Sequence, residues 1–258
     1  MSNLNYIIIF SLFTLGTIFG SFYNVVGYRI PKNESILYPS SHCPNCNHKL
    51  GPLELIPIIS YFLLGGKCKK CKQKISLFYP FFEFLTGILF VLSYISFGIS
   101  IECIYSIVFV SILVIIIISD YQTMIIPDSI LIIGSAILIT IKMFATNINV
   151  VGESLTSAAL AFITMLVLKI LGDFLFKKES MGGGDIKLLA VFGFVLGYPL
   201  SIISIFLSAF IALPISIIIL KLKSTHEIPF GPFLSISALI IFLSKINFAD
   251  ILNFLNIF

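Results

Sequence analysis

From Ile104 to Ser119 the chain reads IYSIVFVSILVIIIIS, with no charged side chain, and Ile236–Leu243 is comparably apolar. A helix that is apolar all round has no face to offer water, so it must be sheathed in lipid or protein. A membrane span needs roughly 20 such residues. Eight stretches qualify as candidates, at about 5–27, 79–99, 101–119, 125–145, 154–176, 185–199, 200–220 and 229–248. Composition agrees. Only 11% of residues are charged, against about a quarter in soluble domains, so the chain lacks the polar surface a water-soluble globule requires. The expected fold is an all-α polytopic bundle of about eight transmembrane helices. A soluble enzyme, a disordered tail, a secreted disulfide scaffold and a nucleic-acid-binding domain are excluded, and no nucleic-acid partner is expected.

Charge placement orients the bundle. The segment MSNLNY has no Lys or Arg, and no small-residue cleavage site follows, so the first span reads as a retained helix with its N-terminus outside. Eight of the 16 basic residues crowd into the polar stretch Arg29 to about Ser76. Alternating eight spans puts Lys169, Lys177, Lys178, Lys187, Lys221 and Lys223 on the same side, leaving Lys142 and Lys245 opposite. Basic loops remain in the cytoplasm, so this side is expected to be cytoplasmic. Topology then accounts for the net charge of +4. The boundary at Tyr198-Pro199, between a short sixth span and the seventh, is the weakest of the set.

The polar loop carries Cys43-Pro-Asn-Cys46 and Cys68-Lys-Lys-Cys71, with 21 residues between the halves. Two such pairs give the four thiolates of a tetrahedral zinc-ribbon-like site, and each two-residue gap lets one tight turn present two sulfurs. Flanking lysines favour the thiolates. A redox disulfide pair is the rival, disfavoured in a reducing cytoplasm. His42 and His48 flank the first turn as solvated residues, and Cys103 reads as packing within a span.

Two acids stand out. Asp120 closes IVFVSILVIIIISD, and Asp185 closes MGGGD. A charge beside hydrocarbon costs about 2.5–3.5 kcal/mol on insertion scales, so it has a function or a partner. On the topology above both lie on one side, where paired carboxylates share a proton and can activate water without a metal. Asp185 and Asp128 each have a competing explanation as helix N-caps, which is preferred for Asp128. Asp120 has none, because a helix C-terminus disfavours negative charge. Gly182, Gly183 and Gly184 support Asp185 by permitting close backbone approach or a strained turn.

These residues together resemble the type IV prepilin peptidase family. GSFYNVVGYRIP (20–31), SSHCPNCNHKL (40–50), LIPIISYFLLGGKCKKC (55–71) and YPFFE (79–83) follow the family's order. The Asp120 to Asp128 segment, with Ile126-Pro127-Asp128, and GGGDIKLL (182–189) are similar to its two aspartate motifs, the second of the GxGD type. The resemblance implies an aspartic endopeptidase of the cytoplasmic membrane, with Asp120 and Asp185 catalytic, cutting basic leaders from type IV prepilins or pseudopilins after a glycine. It also implies N-methylation of the new terminus by S-adenosylmethionine, a metal-binding loop at the four cysteines, and service in pilus assembly, secretion or competence. Glu83 is a candidate contact for the leader or the methyl donor. The division that follows is a first helix (1–28), the cysteine loop tied to methyl transfer (29–78) and the peptidase bundle (79–258). Gly51-Pro52 stands where many members carry a tryptophan, a residue this chain lacks altogether, so peptidase activity is implied more firmly than methylation.

Helix polarity suggests a division of labour, with Asp185 at a helix start the more acidic and Asp120 at a helix end keeping the shared proton. Two rivals come from other classes. A proton-coupled transporter would place its carboxylates near mid-membrane, with an internal repeat that is not seen here. A membrane thiol–disulfide oxidoreductase would need its cysteine pairs outside.

Overall fold

The computed structural model describes residues 3–179, 181–222 and 228–255, so Lys223 lies outside the described residues. Among these residues the chain is helical, with only two isolated β-bridges, His42 to Lys49 and Lys67 to Lys74. It divides into two compact parts, Met1–Ile118 and Ser119–Phe258.

The first part holds α1 (Asn3–Arg29), the polar loop with a short α2 (Ile59–Leu63), α3 (Phe78–Phe97) and most of α4 (Ile101–Thr123). Small residues let α1 and α3 touch at backbone distance: a Cβ added to Gly16 would lie 2.8 Å from the Cα of Gly87, and one on Gly20 equally near that of Glu83. Membrane helices associate by such close packing, since apolar burial gains little in lipid. Hydroxyl bonds add to it, Tyr23 to Ser111 at 2.6 Å and Ser106 to Ser93 at 2.8 Å.

In the second part α5 (Asp128–Ala145), α6 (Ile148–Phe176), α7 (Gly183–Leu196), α8 (Tyr198–Leu222) and α9 (Gly231–Leu243) pack together, and α10 (Phe248–Leu255) follows. The short helices α7 and α9 are the most enclosed, with Leu188, Leu189 and Phe192 of α7 fully buried. Outward positions are apolar instead: Phe144 is 86% exposed and Phe210 77%. That inversion of the soluble pattern suits a lipid surround.

Each of the eight expected spans falls on a helix. Six, α1, α3, α4, α5, α6 and α8, are long and apolar enough to cross a membrane, which makes this a multi-pass membrane protein. The other two are short. The 14 residues of α7 and 13 of α9 rise about 20 Å, less than a bilayer core of about 30 Å. α7 opens at Gly183, slightly before the expected span, with Gly182 as its N-cap, whereas α9 opens slightly late, at Gly231, where Pro232 fits its first turn. At its far end α7 stops at Gly197, whose φ of 83° only glycine adopts cheaply, and α8 begins at Tyr198-Pro199.

Candidate active site and metal centre

The four cysteines come together in the first part. Each pair sits on a small hairpin, and the two hairpins repeat the same hydrogen bonds. Cys43 N–H donates to His48 O and Asn47 N–H to Cys43 O; Cys68 N–H donates to Gln73 O and Lys72 N–H to Cys68 O. Asn47 (φ 54°) and Lys72 (φ 62°) hold equivalent left-handed positions that close the turns. All four sulfurs lie within 4.8 Å of one another, and all four thiols are free. The cross-hairpin separations are 3.7 Å for Cys43 to Cys71 and 3.9 Å for Cys46 to Cys68. A tetrahedron with metal–sulfur arms of about 2.3 Å has edges of about 3.8 Å, so the cluster fits a single metal ion. The Gln73 backbone N–H, with Asn45 assisting, pulls the Cys71 thiol down to about 6. At Cys46 the His48 N–H acts in the same direction, but burial and the neighbouring sulfurs outweigh it and push the thiol up to about 11. His48 is not a ligand; its Nε2 lies 3.1 Å from Glu54. The Gly51 N–H, then His48, hold the Glu54 carboxyl below its ordinary range.

Glu83 is buried on α3 in the same part. Its Oε2 accepts the Ile58 N–H at 2.7 Å, and Ser21 also bonds to it. Ile58 has φ 63° and ψ −55°, a conformation costly for a β-branched residue. Glu83 therefore pins a strained turn of the polar loop to a membrane helix.

Asp120 and Asp185 meet in the second part. Asp120 occupies the last turn of α4, its backbone O accepting the Met124 N–H. Met124 is left-handed (φ 55°), and the Ser119 hydroxyl donates to Ile125 O at 2.6 Å, so the chain doubles back. This reversal brings Ile126 against two helix starts. A Cβ on Gly184 would lie 2.7 Å from the Cβ of Ile126, and one on Gly231 3.2 Å from its Cδ1. Gly231, first residue of α9, donates its N–H to Asp120 Oδ2 at 3.0 Å. Asp185 lies in the first turn of α7, close enough for Asp120 to act on it electrostatically. Both carboxyls are buried, and Asp185 Oδ1 has no hydrogen-bond partner among the described residues.

Several local expectations change. Neither Asp185 nor Asp128 is an N-cap, since Gly182 and Pro127 fill those positions. Asp128 instead binds Lys187 Nζ through both oxygens at 2.7 Å, joining the starts of α5 and α7. The triple glycine is not strained: Gly182 has φ −68°, and none of the three has positive φ. Close approach holds at Gly184 alone, because Gly183 faces open space and Gly182 has only Asp185 Oδ2 nearby, at 3.7 Å. Asp120 ends one helix yet faces the start of another, which overturns the polarity argument for its keeping the proton. Gly231 escaped notice in the sequence; its one signal is Gly-Pro opening an apolar run.

Residues 14–97 match the bacterial peptidase A24 N-terminal domain, and residues 107–217 match the type IV leader peptidase family. A prepilin leader peptidase/N-methyltransferase of Bacillus subtilis is 37% identical over 235 residues, covering 90% of this chain and 92% of that protein. The chain belongs to the type IV leader peptidase family. A family member from Neisseria gonorrhoeae with the same name is 31% identical, covering 88% of this chain and 87% of its own. No solved structure matches. Both aspartates fall in the segment matched to the leader peptidase family and all four cysteines in the N-terminal domain match, while Gly231 lies beyond both. The transporter and thiol–disulfide oxidoreductase readings find no support in this family.

Proposed function

We propose that this chain is a membrane-embedded aspartic endopeptidase that removes basic leaders from type IV prepilins or pseudopilins and then methylates the new N-terminus. The observation that carries the reading is the meeting of Asp120 and Asp185 in one buried cluster, in a protein whose relatives are named for this activity. Water held between the carboxyls attacks the carbonyl that follows the leader's glycine. One carboxylate accepts a water proton while the other carboxyl, protonated, polarises the carbonyl oxygen. Gly184 supports the site by its close approach to Ile126, with Gly182 and Gly183 opening the helix beside it. The pair operates at the cytoplasmic face of the cytoplasmic membrane, with the N-terminus outside, and the basic bias supports this orientation.

The ion at Cys43, Cys46, Cys68 and Cys71 is structural Zn2+, supported by four soft donors at tetrahedral spacing. S-adenosylmethionine supplies the methyl group. The N-terminal region, with the first helix at 1–28 and the loop at 29–78, serves methyl transfer, and 79–258 forms the peptidase bundle. Glu83 is the candidate contact for the cationic leader or methyl donor; a carboxylate has about four lone-pair sites, so Ile58 and Ser21 leave capacity for another donor.

Purified protein incubated with a prepilin peptide whose leader ends in Gly is expected to release that leader. With S-adenosylmethionine, the product should gain one methyl group by mass spectrometry. Full cleavage by Asp120→Asn or Asp185→Asn would refute the assignment of the pair.

A further inference from the structure

The pair is asymmetric. An N–H can only donate, so the oxygen it meets must accept, and Asp120 Oδ2 is committed as acceptor by the Gly231 N–H at 3.0 Å. Gly231 opens a 13-residue helix, whose unsatisfied N–H groups and dipole favour an anion at that end. Asp185 also sits at a helix start, in the first turn of α7, so the dipoles do not separate the two. What separates them is the N–H aimed at Asp120, whereas Asp185 Oδ1 is buried without a partner among the described residues. A protonated carboxyl can turn an O–H toward an incoming carbonyl, whereas a buried anion with an orphan oxygen would be costly.

We propose that the opening turn of α9 decides which member of the pair does what: Gly231 is a positioning residue that holds Asp120 as the carboxylate base, and Asp185 is the acid that carries the proton. This rests on the aspartic-peptidase reading and adds an order to it. Asp120 takes a proton from water as the water oxygen bonds to the scissile carbon, and Asp185 gives its proton to the carbonyl oxygen, forming a gem-diol. The C–N bond then breaks as protonated Asp120 delivers its proton to the leaving nitrogen. Asp185 takes one back from the diol. The sum is one water consumed, one acid and one amine formed, and both side chains restored.

Glycine is required at 231 because a Cβ there would stand 2.6 Å from Asp120 Oδ2 and 3.2 Å from Ile126 Cδ1. Both neighbours are themselves buried or held in the turn, so the carboxylate would be displaced from the N–H.

Two measurements decide it. The first is infrared difference spectroscopy at pH 7 on purified wild type against Asp120→Asn and against Asp185→Asn, which cancels carboxyls common to each pair. The protonated-carboxyl band is expected to vanish in Asp185→Asn and persist in Asp120→Asn; any other pattern overturns the assignment. The second is prepilin cleavage by Gly231→Ala. Its kcat is expected to fall about tenfold or more with KM within about twofold, the signature of a group acting on the reacting pair rather than on substrate binding. Methylation of an already cleaved pilin by the same variant should persist, as proof of intact fold. Wild-type kcat in Gly231→Ala would overturn the role of Gly231. Should wild type release no leader, the peptidase reading fails, and the infrared pattern still judges where the proton resides without any cleavage.

Discussion

The cysteine cluster and the aspartate pair are built in opposite ways. Each cysteine hairpin is closed by its own backbone bonds, so four sulfurs need only two local turns brought together. The aspartates depend on a helix end, two helix starts and one reversed turn, drawn from residues 119–126, 182–185 and 231. A locally built site tolerates change elsewhere and fails when its ligands go. One assembled from distant elements fails wherever a spacer is altered, and it offers an asymmetry that no local motif contains.

Disabling either region should leave the other intact. Asp120→Asn or Asp185→Asn should lower leader cleavage about a thousandfold or more, as loss of a member of an acid–base unit does. Metal content, read by atomic absorption, should stay at wild-type level. Cys43→Ser with Cys46→Ser should reverse the pattern, with bound metal and methylation lost while part of the cleavage remains. Retention of metal by that double variant would refute a four-cysteine centre.

Acid offers a gentler handle on the same centre. Metal binds thiolates, so loading must drive the proton from Cys46, raised to about 11, while Cys71, lowered to about 6, is already thiolate at pH 7. Loading zinc in weak buffer should therefore release protons. Falling pH should release the metal, followed with a chelating dye. Metal uptake without proton release would count against thiolate ligation.

Smaller effects probe spacing. Gly184→Ala forces a Cβ to 2.7 Å from Ile126 and should cut kcat for cleavage about tenfold, comparable with moving a catalytic group by a fraction of an ångström. Gly183→Ala, entering open space, should cost far less. Equal losses would mean the glycines serve something other than the approach of Ile126. Least of all, Lys187→Gln removes an ion pair whose side chains are 49% and 58% exposed. Screening by solvent limits its worth to under about 1 kcal/mol in thermal unfolding, and less in high salt.

What could be read from the sequence follows the same division. Cys43-x-x-Cys46 and Cys68-x-x-Cys71 announce their geometry because the turn that presents them lies between them. Asp120 was visible as a charge at the wrong end of an apolar helix, and Asp185 as an acid after three glycines. Gly231 was not, because its role is a backbone N–H, which every residue except proline also has, aimed at a side chain 111 positions away. The ends of the two short helices are blurred in the sequence for a related reason. Apolar residues flank α9 on both sides and resume beyond Gly197, and hydropathy alone does not register that Pro232 sets the start of α9 or that Gly197 stops α7. Asp128 was misread locally because a carboxylate before an apolar run fits a cap equally well whether or not a lysine waits across the bundle.

The tether at Ile58 limits what can be transplanted. A four-cysteine module cut out at its chain boundaries would take its metal with it but leave behind Glu83, the hand that keeps the Pro57-Ile58-Ile59 bend from relaxing. Grafted onto another membrane helix, such a module would swivel at that joint unless the host offered a buried acceptor at the matching height.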